Sequence, residues 1–575
     1  MQSPSGRSSL PQSEEPGDLF FPAAVDSYQH AAEDFKRGTF CNHSYSQLID
    51  VHANDRAKIF YLKLTSEGGP TRTTISSRAN VTRVAHGNDF GSLLGVAHHG
   101  IQYTVWSPLS VGQFRSDSHE RIEMSAGSCH LSSKWSLYPR AQLTISGRTD
   151  PGQTAGFPYV VLEDPVGEFF TELSSLSDIE TRLYRKSDWF FAGSPANFWN
   201  YWINGSLYDP RSWRGINKRF KCQQCAFAWW NYFALLHRRT GKKIYRLLRD
   251  EVAYSVLLDL SPQGEWGHGY WSDEIETHAR FHLDGIHLLL SQYEETKLPI
   301  WREAAERAMA YVFDHLVDTL DDGCPWFLHD TLEGKKEHYI KSNIFGKNTG
   351  NSLCLNTHVQ ALTVLHRLSR LAPGKAIYAD KFERGAAALH RALDYQPGEP
   401  FYRFLAFMLK RCYGSLPHNN ALWARISNAA LWRVTLIMYW WLKRFFPRFV
   451  LPQGFIERDL TLTVAADNYH NTNLKDLLTL YQQAPYPWLR PYIQNGFTFE
   501  RDLVRTLGLS RAVENSPYYF EFIDILDLYD RLIEPLPDGE LALAENTLYK
   551  STGGCSLDYY ASELVRPRDM SPIDQ

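Results

Sequence analysis

Three short stretches decide the fold: Gly264-Glu-Trp-Gly-His-Gly-Tyr-Trp271, Trp326-Phe-Leu-His-Asp330 and Leu355-Asn-Thr-His358. Each is aromatic and polar, and each adjoins a segment with helical spacing of its apolar residues. The first precedes a periodic run over 276–294, and a second run over 300–320 ends in the acidic turn Asp318-Thr-Leu-Asp-Asp-Gly323. Trp326–Asp330 then reads as a short strand, and Asn356 opens a further helix. Helix pairs joined by aromatic, polar loops at one end are the units from which an (α/α) toroid is assembled.

Working outward, the periodic runs continue on both sides, over 225–238, 243–260, 376–395 and 474–481. No strict sequence period links them. Upstream of about residue 176 the texture is different. Lys58-Ile-Phe-Tyr-Leu-Lys-Leu64, Ile101-Gln-Tyr-Thr-Val-Trp106, Ala141-Gln-Leu-Thr-Ile145 and Tyr159-Val-Val-Leu162 are short, alternating and rich in β-branched or aromatic residues. The expected fold class is therefore α+β and multidomain: an N-terminal antiparallel β-sandwich-like domain over 41–180, then a C-terminal (α/α) toroid over 181–545. Residues 1–40 are expected as a lead-in and 546–575 as a tail.

Composition narrows the function classes. The chain has 575 residues, 60 Lys and Arg against 64 Asp and Glu, and 43% hydrophobic residues. That is a folded protein with no basic excess, so nucleic acid is not an expected partner. Eight Cys are too few for a disulfide scaffold, and Cys222-Gln-Gln-Cys225 lacks the second pair that a structural zinc site needs. No apolar run has the length of a membrane span, and Met1–Asp18 shows no secretory pattern, so the expected location is the cytoplasm.

The order of these elements resembles, over about residues 190–480, the α/α-toroid domain of glucuronyl C5-epimerases, with toroid polysaccharide lyases and glycosidases as wider kin. The resemblance implies a carbohydrate-active enzyme acting on a polysaccharide or a lipid-linked glycan. The chemistry it implies first is removal of the C5 proton of a uronate, by an epimerase or a lyase. An inverting glycoside hydrolase on the same toroid is the alternative, using Asp273 or Glu274 with Asp467. A non-catalytic glycan-binding or scaffold protein at a membrane surface is the reading from another class.

Three polar clusters supply the candidate site. The first holds Trp266, His268, Tyr270, Trp271, Glu274, His278, Arg280 and His282. His278 and His282 are four apart and share a helix face. With Glu274 they could hold a divalent metal, but the pattern lacks the glutamate of a zincin, and no cofactor is expected. The second cluster is Asn356-Thr-His358, with His329-Asp330 upstream. The third is Asp467-Asn-Tyr-His-Asn-Thr-Asn473. Abstraction at C5 leaves two negative charges on the substrate, so it needs cationic or neutral donors beside an acid and a base. The resemblance implies catalytic roles for His278, Asn356, His358, Tyr469 and His470. Substrate contacts fall to Trp266, His268, Tyr270, Trp271, Glu274, Arg280, Asp330, Asp467 and Asn471.

One further block stands out. From Phe401 to Ile456 there is no Asp or Glu, against eight basic residues and many aromatic ones. That makeup suits an anionic membrane surface, an anionic-glycan groove, or a helix pair whose basic side chains run out from a core.

Overall fold

A computed structural model describes residues 27–41, 45–65, 71–75, 80–88, 91–98, 100–107, 112–115, 132–136, 142–149, 153–176, 185–186, 191–192, 208–209, 220–221, 223–268, 276–332, 353–414, 422–460, 469–507 and 519–552. The chain divides into two compact units. The first comprises residues 1–185, 189–275 and 291–304; the second comprises 186–188, 276–290 and 305–575.

The first unit carries strands β1 (Ser27–Ala32), β2 (Phe35–Cys41), β3 (Tyr45–His52), β4 (Ala57–Thr65), β5 (Thr71–Ile75), β6 (Asn80–Asn88), β7 (Gly91–His98), β8 (Ile101–Ser107), β9 (Gly112–Arg115), β10 (Ser132–Ser136), β11 (Gln142–Thr149) and β12 (Gln153–Glu163). Nine form one sheet in the order β1-β2-β3-β4-β12-β8-β7-β6, with β9 also on β12; β10-β11-β5 form a second sheet. The described pairs are antiparallel, as expected. The sheet begins at Ser27, so residues 27–40 belong to it and are not lead-in.

At the sheet centre, β4 pairs with β12 so that Phe60 faces Tyr159 and Ile59 faces Val160. Phe60 and Tyr159 stack at 4.6 Å, and Ile59 and Phe60 are both fully buried. Neighbouring residues of a strand point to opposite faces, so both faces are covered here. That is why Tyr159-Val-Val-Leu162 is continuously apolar rather than alternating.

Helices α1 (Glu168–Ser174), α2 (Gln223–Thr240) and α3 (Lys243–Asp259) complete the described part of this unit, with residues 291–304. Arg37 of β2 donates to both carboxylate oxygens of Asp50 and to Ser255 Oγ of α3, while His52 donates to Glu251 of the same helix at 2.6 Å. Buried ions on strand and helix therefore tie α3 to the sheet. The boundary expected near residue 180 is not a boundary between the compact units, because α3 packs with the strands and α2 pairs with α3.

The second unit is built from helical hairpins. Its elements are α4 (Ala279–Thr296) and α5 (Pro299–His315), through residues 279–290 and 305–315, then strands β13 (Val317–Thr319) and β14 (Pro325–Phe327). Helices α6 (Leu355–Leu371), α7 (Ala376–Asp394), α8 (Glu399–Gly414), α9 (Leu422–Phe445), α10 (Tyr469–Gln483), α11 (Arg490–Leu507), α12 (Tyr519–Leu532) and α13 (Glu540–Thr552) follow. The first half of α6 is buried on every face, whereas α7 alternates buried and exposed residues at helical spacing. One is an inner helix and the other an outer helix. No helix is long and apolar enough to cross a membrane among the described residues.

A repeat unites the hairpins. Inner-helix His282, His358 and His470 each donate Nε2–H to a carbonyl on the following outer helix, at Ala308, Gly385 and Gly496. The separations are 26, 27 and 26 residues. A Cβ on Gly385 would press on Leu362, and one on Gly496 on Leu474, the leucines one turn after His358 and His470. Small outer residues let the two helices approach closely enough for the imidazole to bridge them.

The turns before the inner helices repeat as well. Gly323 and Gly454 both have positive φ, and each N–H donates three residues back, to Leu320 O and Leu451 O. Gly454 has φ +100°, and a Cβ there would overlap the Asn495 carbonyl oxygen. Gly454→Ala is expected to destabilise the chain by about 2–4 kcal/mol, combining left-handed strain with overpacking. A thermal melt of the variant within a degree of wild type would contradict this.

Candidate functional site

After each turn the chain runs extended past the start of an inner helix. Trp326-Phe-Leu-His-Asp330 corresponds to Phe455-Ile-Glu-Arg-Asp459 residue for residue. Trp326 stacks on His358 at 4.0 Å, and Phe455 stacks on His470 at 5.3 Å. The next residue donates its backbone N–H to the same imidazole, Phe327 to His358 Nδ1 and Ile456 to His470 Nδ1. Two positions on, the carbonyl accepts from the helix start: His329 O from Ala279 N–H, and Arg458 O from Leu355 N–H. His329 and Arg458 are thus equivalent residues on neighbouring repeats.

These two side chains meet. Arg458 Nη2 donates to His329 Nε2 at 3.1 Å. A guanidinium only donates, so the ring proton of His329 sits on Nδ1, which faces Thr357 Oγ1 at 3.4 Å. The His278 ring stands edge-on to His329 at 4.5 Å. On its other side the Arg458 guanidinium lies over the Tyr469 ring, 4.5 Å from its centre. Burial works against the Arg458 charge, but Asp459 at 3.5 Å, Cys354 and Tyr469 together outweigh it, so the cation is held. Burial likewise raises the Tyr469 hydroxyl above its ordinary range, with the Arg458 charge opposing. Tyr469 is consequently a neutral phenol at neutral pH.

Next to this group, Arg280 donates to Asp476 Oδ2 at 2.5 Å and to the Asn356 carbonyl at 3.0 Å. Asn356 Oδ1 accepts from Cys354 Sγ at 2.8 Å. The structure therefore brings together His278, Arg280, Asn356 and Tyr469, one or two from each of the three expected clusters. All lie at the entry of α4, α6 or α10.

Other expected residues are placed elsewhere. His358 and His470 have both ring nitrogens engaged by backbone groups, and burial lowers each to about 4. A buried imidazole with no nitrogen to offer is a strut between helices, so their assignment as acid and base is corrected. Asn471 is also turned inward, donating to Glu500 Oε1 at 3.1 Å. Asp330 is buried and caps the Leu332 N–H at 2.8 Å. Trp266 and His268 lie in the first unit, where Trp266 Nε1 donates to Val256 O and His268 bonds to Gln223. They are core and cap groups of that unit. Tyr270, Trp271, Asp273, Glu274 and Asp467 lie outside the described residues, as does Cys222.

Of the residues in the metal reading, Glu274 lies outside the described residues and His282 Nε2 is engaged by Ala308 O at 3.0 Å. Among the described residues no group of three His, Cys, Asp or Glu stands close enough to hold an ion.

Arg458, Asp459 and Asp476 were not among the expected site residues, and His329 was named only beside the second cluster. The signal that pairs His329 with Arg458 is a Gly turn and, after it, two apolar residues, one further residue and then His-Asp or Arg-Asp, visible at 323–330 and 454–459.

No family model matches the chain, and no curated protein matches it. Among solved structures, a polysaccharide lyase aligns over 91% of this chain and 82% of its own, at 10% identity and a TM-score of 0.26. An unsaturated glucuronyl hydrolase from a Bacillus species, responsible for glycosaminoglycan degradation, aligns at 13% identity and a TM-score of 0.28. That match covers 50% of this chain and 62% of the hydrolase. The cellobiose 2-epimerase of Bacillus thermoamylovorans aligns at 10% identity and 0.27, over 50% of this chain and 76% of its own. A match to a Listeria innocua protein spans 58% of that protein. The chain is similar to these carbohydrate-processing enzymes. Likeness at this level carries no argument about chemistry, which rests on the chain's own residues.

Proposed function

We propose that the chain is a carbohydrate-active enzyme that removes the C5 proton of a uronate within a glycan, as an epimerase or a lyase. In this reading the helical hairpins close into an α/α toroid around the polar ends of α4, α6 and α10. One observation carries it: the Arg458 guanidinium touches two proton-transfer groups at once, Tyr469 at 4.5 Å and His329 at 3.1 Å.

The chemistry follows from those contacts. A uronate carboxylate pairs with the planar fork of Arg458, the cation best shaped for it. That pairing draws the guanidinium from His329 and exposes the Nε2 lone pair as a base for the C5 proton. The charge that builds on the carboxylate is met by Arg458 in a partly desolvated setting. Neutral Tyr469 then returns a proton, to C5 from the other face in an epimerase or to the leaving oxygen in a lyase. His278 holds the His329 ring edge-on, and Arg280, committed to Asp476, keeps the entries of α6 and α10 in register. The hydrolase alternative would use Asp273 or Glu274 with Asp467, which lie outside the described residues.

The test is a panel of uronate-containing polymers incubated in heavy water. A lyase forms an unsaturated uronate that absorbs in the near ultraviolet, while an epimerase incorporates deuterium at C5. Release of new reducing ends with neither signal would replace the proposal with hydrolysis. Silence on every polymer would favour the non-catalytic glycan-binding reading.

A further inference from the structure

The acid-free block at 401–456 resolves into two kinds of basic residue. Lys443 is buried against Glu457 at 2.9 Å, and Arg448 against Glu399 at 2.6 Å. These two are internal partners of acids outside the block, so they contribute nothing to an outer basic face. Arg403, Arg433 and Arg444 are exposed. The side chains of Lys410, Arg411 and Arg425 lie outside those described.

Helices α8 and α9 pack as a hairpin whose inner side is the cluster of Tyr402, Leu405, Tyr439 and Leu451. Its outer side is also apolar. Phe401, Phe404 and Phe407 follow one another three residues apart on α8, and Ile437, Trp441 and Phe445 four apart on α9. Each of the six is between 49% and 60% exposed. Trp441 and Phe445 stack on each other at 5.4 Å, and Phe401 of α8 stacks on Phe446 beside the end of α9 at 5.7 Å. A soluble surface rarely carries such a run without a purpose.

We propose that this hairpin docks on an anionic lipid surface, lying in the headgroup interface with the Phe and Trp rings inserted. This goes beyond the glycan-processing reading and does not depend on it. Charge chooses the occupant: Arg433 and Arg444 stand exposed beside the stripe, Arg403 is exposed and paired with Glu399 at the start of α8 at 2.9 Å, and residues 401–456 contribute no acid to repel a negative leaflet. The guanidinium of Arg444 lies over the Trp440 ring at 5.5 Å, at the edge between the apolar stripe and solvent. Length chooses the mode: neither helix is long and apolar enough to cross a bilayer, so the hairpin lies along the interface.

The experiment is sedimentation of the full chain, without glycan, with vesicles of phosphatidylcholine alone or with about one third phosphatidylserine. Wild type is expected to bind the anionic vesicles at low salt, to weaken as salt rises, and to retain part of its binding through the inserted rings. Arg433→Glu with Arg444→Glu should lower partitioning at least about tenfold on the anionic vesicles. Trp441→Ser with Phe445→Ser should remove the salt-resistant part. All four positions are exposed, and an unchanged thermal melt checks that each variant is folded. Absence of binding to anionic vesicles at low salt, or equal binding of wild type and both variants, overturns the proposal. So does a concentration-dependent dimer that the Trp441/Phe445 variant abolishes, since the stripe would then be an interface between copies.

Discussion

Tyr469→Phe is expected to lower turnover on a uronate glycan about 10²- to 10⁴-fold, the usual contribution of a positioned acid or base. The change deletes one oxygen and keeps the ring under the Arg458 guanidinium, so the contact at 4.5 Å and the fold around it survive. A loss in kcat with KM nearly unchanged is the signature of a group that acts only in the transition state. Arg458→Lys is the companion variant. It keeps a charge but loses the fork that spans Tyr469 and His329, and KM and kcat should both suffer. Buried Tyr469 sits above its ordinary range, so the activity of the wild type should not fall through phenol ionisation at moderately alkaline pH. Turnover of Tyr469→Phe within threefold of wild type would remove the phenol from the mechanism.

The second large effect is acid unfolding. His358 and His470 are held near 4 in the fold by burial, against an ordinary value of 6.5. Both are therefore neutral struts in the native state, while the unfolded chain takes up a proton at each below about 6.5. A depressed folded value gives stability that is complete above 6.5 and is lost as pH falls toward 4. At 1.36 kcal/mol for each pH unit, the two together are worth on the order of 7 kcal/mol, half from each. Thermal melts at steps between pH 7 and pH 4 should show a steep fall in midpoint. His358→Gln and His470→Gln should each flatten that fall while lowering the midpoint at pH 7, because one backbone bond of each strut is lost. A wild-type midpoint flat across this window would show that the imidazoles are not buried as neutral groups.

Much of the architecture was legible in the residues. Short alternating runs before residue 176 and helical spacing after it placed the antiparallel strands and the helices that follow, and the entries at 279, 355 and 469 stand beside the polar clusters. The departures share one cause. Residues 27–40 lack a strong apolar pattern, yet they pair because β3 offers them an edge with matching register. The first-unit helices α2 and α3 look like those that follow, and contacts such as the buried ions Arg37 and Glu251 and the stacking of Phe35 on Tyr254 bind α3 to strands far away in the chain.

At the site the ambiguity was sharper. His278, His282, His358 and His470 are the same residue type in similar contexts at helix entries. Their difference is where the rings point: His282, His358 and His470 reach toward small residues of the outer helix, whereas His278 meets His329. The separations of 26 and 27 residues to Ala308, Gly385 and Gly496 are written in the chain. They acquire meaning only when two helices are laid side by side.

By itself, then, the sequence determined what depends on near neighbours: the switch from period two to helical period, the glycines that must take positive φ at 323 and 454, and the absence of acids from 401 to 456. Tertiary structure alone decided which imidazoles keep a nitrogen for chemistry and which basic side chains reach the surface. Arg458 meets His329 across 129 residues of chain, and Lys443 and Arg448 are neutralised in the interior while Arg433 and Arg444 face outward. Protonation and exposure are set by what surrounds a group in space, through desolvation and nearby charge, and no local pattern along the chain encodes that surrounding.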